Sequence, residues 1–221
     1  MARNSYQERL RDLQGDVGAM ADTVLDQYRD AVAVLESGDS RTAEAVVRDD
    51  ERINEWYLDV EADCIELFAL QQPVAGDLRF IASTFKIATD LERIGDLAVN
   101  LAEYGREAGG DIEGVDIEPI AREAGDMVEA AMDAYAVDDA EAARQVAGRD
   151  DELDQQCREA SEDVFVGLMG TDPVESRIDR RLKDVSRTLL TVRDIERVGD
   201  HAVNICARTV YMVEHDDELL Y

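Results

Sequence analysis

Residues about 100 positions apart in this chain match in type over most of its length, and a chain built that way folds as two copies of one unit. Val17 and Met20 correspond to Ile117 and Ile120, Val32 and Leu35 to Met132 and Tyr135, and Ala43 and Val46 to Ala143 and Val146. Asp50, Ile53 and Asn54 correspond to Asp150, Leu153 and Asp154, and Pro73-Val74 to Pro173-Val174. Beyond these prolines the offset becomes about 104, aligning Leu78, Arg79 and Ile81 with Leu182, Lys183 and Val185. The added residues amount to about one α-helical turn, so the facing of a later helix is preserved.

Within each copy the apolar period is helical. Leu10, Leu13, Val17, Met20, Val24, Tyr28, Val32 and Leu35 advance in steps of three and four. Ser37-Gly38-Asp39-Ser40 breaks this run and offers an N-cap for a second helix reaching about Gln71. Pro73 suits the first turn of a third helix that is expected to end near Gly105. The second copy repeats the plan. Asp138-Asp139 replaces Gly38-Asp39, and Thr171-Asp172-Pro173-Val-Glu175 reads as an N-cap, a proline at the first helical position and an acid at the third. No segment alternates like a strand. The expected fold is all-α: two tandem antiparallel three-helix bundles related by internal duplication. The first spans 1–108, a linker 109–116 and the second 117–221, the linker lying in the Gly109-Gly110 to Pro119 stretch.

The sharpest part of the repeat is chemical. Asp90-Leu-Glu92-Arg93-Ile-Gly95-Asp96-x-Ala98-Val99-Asn100 recurs as Asp194-Ile-Glu196-Arg197-Val-Gly199-Asp200-x-Ala202-Val203-Asn204. Glu, Asp and Asn at i, i+4 and i+8 stack on one helix face, where carboxylates repel unless a cation, a basic side chain or solvent offsets them. With a turn near Gln72, Asp50 and Asn54 lie about as far before it as Glu92 and Asp96 lie after it, so antiparallel helices bring all four to one height. Asp150, Asp154, Glu196 and Asp200 meet in the same way if the extra turn is absorbed near Pro173. Four oxygen donors on two rigid helices suit Mg²⁺, Mn²⁺ or Fe. Spacing alone is weak support, because 52 acidic residues in 221 produce such pairs by chance on the order of a dozen times. Arg93 and Arg197 also offer plain surface ion pairs. Gly95 and Gly199 cost each helix about 1 kcal/mol, and their expected use is close approach of a neighbouring helix or ligand.

Composition narrows the function classes. The net charge of −29 argues against nucleic acid and anionic membranes as partners. Only two of the 23 basic residues are lysines, Lys86 and Lys183, an acidic and lysine-poor balance that suggests adaptation to high salt. Cys64, Cys157 and Cys206 have no C-x-x-C spacing and read as reduced core residues of a cytosolic protein. The opening Met1-Ala-Arg-Asn-Ser-Tyr-Gln-Glu-Arg runs into a charged helix, so no secretory signal is expected, and no stretch has the length of a membrane span. His201 follows Asp200 where the first copy has Leu97, and it reads as incidental; His215 lies in an acidic tail. Neither makes a Glu-x-x-His pair, which argues against a ferritin-like di-iron oxidase or store. Trp56 reads as an anchor in the core or at a dimer contact. With no phosphate loop, nucleophile elbow or triad, an enzyme is the least supported class.

Gln71-Gln72-Pro73-Val74-Ala75-Gly76-Asp77-Leu78-Arg79, followed by Leu91-Glu92-Arg93-Ile94-Gly95-Asp96, resembles the PhoU family of phosphate-transport regulators. The resemblance covers nearly the whole chain. It implies a cytoplasmic accessory protein of the phosphate ABC transporter, peripheral to the membrane through that transporter. Such a protein restrains uptake and the phosphate-starvation response by contacts with other proteins, here with the nucleotide-binding subunit, and commonly forms a homodimer. Several members bind Fe, Zn, Mg or Mn through paired (Glu/Asp)-x-x-x-Asp motifs, which implies that Glu92, Asp96, Glu196 and Asp200 serve as ligands with Asp50 and Asp150 facing them. The second copy departs from the pattern at Asp172-Pro173-Val174-Glu175-Ser176, and Asn54 stands where Asp154 has a carboxylate, which leaves the first site weaker or differently filled. The alternative function is an acidic helical protein that binds or buffers metal without a phosphate role.

Overall fold

The computed structural model describes residues 2–70, 74–110, 115–169 and 178–220, with side chains over slightly shorter spans. All regular structure among them is helical: α1 (Ala2–Ser37), α2 (Ser40–Leu70), α3 (Ala75–Ala108), α4 (Glu118–Ala136), α5 (Ala140–Ala147), α6 (Asp150–Met169) and α7 (Ile178–Glu214), then a 3₁₀ turn at Glu218–Leu220. α2 and α5 begin where an aspartate side chain satisfies free backbone N–H groups, whereas α3 and α4 start at Val74 and Ile117 without a side-chain cap. Asp39 accepts from the amides of Arg41 and Thr42, and Asp139 from that of Ala142. Gly38 and Gly109 take the left-handed conformation at φ 63° and 68°, closing α1 and α3.

α1, α2 and α3 pack mutually as one bundle, while α4, the α5–α6 pair and α7 form the second; α3 lies on α7 and α1 on α4 between them. Heptad-like rows fill both cores. Val17, Met20, Val24, Ile53, Ile81 and Ile94 are fully buried in the first, with Met127, Val128, Leu153, Val198 and Ile205 in the second. Two expectations need correction. The second helix of the second copy is broken at Gly148-Arg149 into α5 and α6, because Gly148 ends one helix and α6 restarts on the acidic run Asp150-Asp151-Glu152. α3 continues past Gly105 to Ala108; Gly105 sits inside the helix because a Cβ there would collide with the Val34 carbonyl of α1.

Gln71 to Pro73, Thr171 to Ser176 and residues 111–114 of the expected linker lie outside the described residues.

α3 and α7 run antiparallel along most of their length. Arg79 meets His215 at one end and Arg187 meets Glu107 at the other. Between them Asp90 accepts from Asn204 at 3.2 Å and contacts His201 Nδ1 at 2.9 Å, while Asp194 accepts from Asn100 and Tyr104, each at 3.3 Å. Each motif therefore offers its first Asp to the other motif's last Asn. Gly95 and Gly199 lie midway between the two locks, so the duplication is a two-fold-like pairing of the two motif helices.

Candidate metal centre

The α2–α3 hairpin places its acids at the expected common height. A Cβ on Gly95 would sit 3.5 Å from Asp50 Oδ1, 3.6 Å from Ile53 Cδ1 and 3.2 Å from Gln27 Oε1. The glycine thus lets α2 approach α3 beside the carboxylates. Asn54 donates to Asp50 Oδ2 at 2.9 Å. Burial raises the Asp50 carboxyl above its ordinary range and the Asp96 charge raises it further, opposed by amide hydrogen bonds. Glu92 is raised by burial, then by Asp96 and, more weakly, Asp50. Arg93 spans the pair, 3.4 Å from Glu92 and 3.0 Å from Asp96. Asp50, Glu92 and Asp96 therefore share one electrostatic neighbourhood, partly offset by Arg93 and the Asn54 amide.

The second copy builds the same meeting of helices with less compensation. A Cβ on Gly199 would strike Leu153 and lie 3.7 Å from Asp150 Oδ1. Asp154 pushes up Asp150, Glu196 and Asp200 alike, which locates it among all three. Asp150 rises furthest, to about 6, through burial first and then through Asp154, Asp200, Asp151 and Glu196. Its Oδ1 is buried with no hydrogen-bond partner. Arg158 stands 3.8 Å from Asp154, while Arg197 turns away to Asp194 at 3.6 Å. Four carboxylates thus lie within one another's electrostatic reach, one carrying a buried, unpartnered oxygen, and among the described residues no arginine spans the motif as Arg93 does.

Oxygen donors of this kind fit a hard cation, which would supply the positive charge that the cluster lacks. As the side chains stand, no three His, Cys, Asp or Glu groups among the described residues close on a single ion position. Asp50, Asn54, Glu92 and Asp96 are brought together, as are Asp150, Asp154, Glu196 and Asp200. Asn100 and Asn204, although in line with the acids in sequence, face the opposite motif and lock the repeats. His201 is likewise not incidental: it is half-buried on Asp90. Its place in the sequence carried no signal for this, because its partner lies 111 positions away. The three cysteines are buried and free, and burial pushes each thiol up to about 12. No helix among the described residues is long and apolar enough to cross a membrane.

The PhoU domain model matches this chain twice, over residues 17–105 and 117–209. A phosphate-specific transport system accessory protein PhoU homolog of Pseudomonas aeruginosa is 33% identical over 219 residues, covering 96% of this chain and 86% of the relative. A homolog of Clostridium acetobutylicum bearing the same description is 30% identical over 217 residues, covering 96% of each chain. The crystal structure of PhoU from Pseudomonas aeruginosa superposes with a TM-score of 0.87 at 31% identity, covering 96% of this chain and all of that one. The phosphate transport system regulatory protein PhoU from Streptococcus pneumoniae, at 23% identity, shares the fold with a TM-score of 0.82 over 96% of this chain and 98% of its own. With both halves matched and identity above 30% along nearly its full length, the chain belongs to the PhoU family.

Proposed function

We propose that this chain is an accessory regulator of phosphate transport that works by protein contacts rather than catalysis. Its direct partner in this reading is the nucleotide-binding subunit of a phosphate ABC transporter, which it contacts from the cytoplasmic side to restrain uptake and the starvation response. The observation that carries the reading is the 33% identity over 96% of the chain to a phosphate-specific transport system accessory protein homolog. Metal belongs to the same proposal. Asp150, Asp154, Glu196 and Asp200 hold a divalent or trivalent ion, and Asp50, Asn54, Glu92 and Asp96 a weaker one. The ion supplies charge that fixes the facing of α6 on α7 and of α2 on α3. The unpartnered Asp150 Oδ1 supports the stronger assignment.

The test is co-purification of tagged transporter subunits with this chain from phosphate-replete cells. Recovery of the nucleotide-binding subunit, weakened by phosphate starvation, supports the reading. Recovery of no transporter or signalling subunit under either condition sinks it. If metal analysis then returned many ions per chain, the metal-buffering alternative would replace it.

A further inference from the structure

The second half of α2 carries an apolar line that nothing in the described fold covers. Leu58, Ala62, Ile65 and Ala69 follow one another at steps of four, three and four, which keeps them on one helix edge, and all are exposed. Leu58 and Ile65 are 59% and 60% exposed, beyond what scattered surface apolar residues require when they form a continuous line. Phe68, 42% exposed, widens the line at its lower end. Among the described residues the full line occurs on α2 alone. The corresponding positions on α6 are Arg158, Glu162 and Phe165, so the second copy keeps one exposed apolar residue but replaces the upper half of the line with charge.

Charge restricts what covers the line. Glu55 and Asp59 border it on one side and Glu61 on the other, and none of the three forms an ion pair among the described residues. A second copy laid along this edge would set these acidic borders against their own kind, and an anionic lipid surface would be repelled in the same way. A helix with apolar residues at the same three-four spacing and Lys or Arg on both borders satisfies the apolar edge and the acids together. We propose that the Leu58–Ala69 edge of α2 is a docking surface for a basic amphipathic helix of a partner protein. This goes beyond the proposed phosphate role and stands without it.

The probe is a fluorescein-labelled synthetic helical peptide with Leu at three-four spacing and Lys borders, titrated with the full chain at moderate salt and read by fluorescence anisotropy. A second peptide keeps the leucines and replaces Lys by Glu. The proteins are the wild type, Leu58→Ser/Ile65→Ser and the control Phe165→Ser, whose residue is 51% exposed and lies on α6. The expected result is saturable binding of the Lys peptide to wild type and Phe165→Ser, at least about tenfold weaker for the double variant, and no binding of the Glu peptide. Equal affinity of wild type and double variant would mean attraction to general negative charge and would overturn the proposal. Dimerisation of the wild type in sedimentation that is abolished in the double variant would also overturn it, assigning the edge to a second copy. Circular dichroism confirms that the double variant remains folded. The assay contains no transporter, so its failure leaves the phosphate reading standing, and failure of the transporter co-purification leaves this surface standing.

Discussion

Replacing Asp150 with Asn should stabilise the metal-free protein at neutral pH and leave it little changed in acid. Burial and the charges of Asp154, Asp200, Asp151 and Glu196 lift the Asp150 carboxyl from 3.8 to about 6. The folded state therefore holds this proton more tightly than the unfolded chain does. Below about pH 4 both states are protonated and there is no penalty. As the pH rises from there to about 6 only the folded state keeps the proton, and stability falls; above about 6 the full penalty is present. A displacement of this size corresponds to about 3 kcal/mol for a fully shielded group. Asp150 is only half-buried, so solvent screening reduces the figure to about 1–2 kcal/mol. With a urea dependence of about 2 kcal/mol per molar, the midpoint of Asp150→Asn should rise by about 0.5–1 M at pH 7.5 in the presence of chelator, and by much less at pH 4.5. A variant that is less stable than wild type at pH 7.5, or shifted equally at both pH values, would refute the crowding of charge at this site.

Other substitutions separate the packing claims from the electrostatic ones. Gly105→Ala should destabilise by about 1–3 kcal/mol in thermal unfolding, because its methyl group meets the Val34 backbone of α1, whereas Gly15→Ala, with open space around it in an exposed part of α1, should stabilise by about 1 kcal/mol. Asp194→Ala should cost about 1–3 kcal/mol by urea unfolding, since it removes the acceptor of Asn100 and Tyr104 at the α3–α7 lock. Cys64, Cys157 and Cys206 should resist a thiol reagent in the native protein and react in denaturant; rapid native labelling would contradict their burial and raised thiols. The net charge of −29 should make the unfolding temperature rise in molar KCl, and an unchanged temperature would remove the case for adaptation to high salt.

The duplication made the architecture legible, because apolar period and helix-stop signals occur twice and correct one another. The change of offset is the clearest case: it amounts to about one helical turn, and the acids of the second copy still meet across α6 and α7 as those of the first do across α2 and α3. The break at Gly148-Arg149 was not legible, since a single glycine inside an apolar period is tolerated within a helix as readily as it ends one. Helix-face geometry predicted which acids meet within a hairpin, and Gly95 and Gly199 served as the close approaches expected of them. Contacts between the hairpins were hidden. Asn100 and Asn204 share a face with the acids in sequence, yet they project far enough round the helix to reach Asp194 and Asp90. Periodicity defines a face, but the packing of α3 on α7 decides which part of that face meets the other repeat.

In the proposed role, the duplicated acidic motifs facing α2 and α6 hold metal. Elemental analysis by inductively coupled plasma mass spectrometry tests it most directly, on protein purified without chelator and compared with Glu92→Ala, Glu196→Ala and the double variant. The expected result is stoichiometric metal on the wild type, a larger loss in Glu196→Ala than in Glu92→Ala, and none retained in the double variant while its helical circular dichroism persists. Metal on the wild type no greater than on the double variant would contradict it.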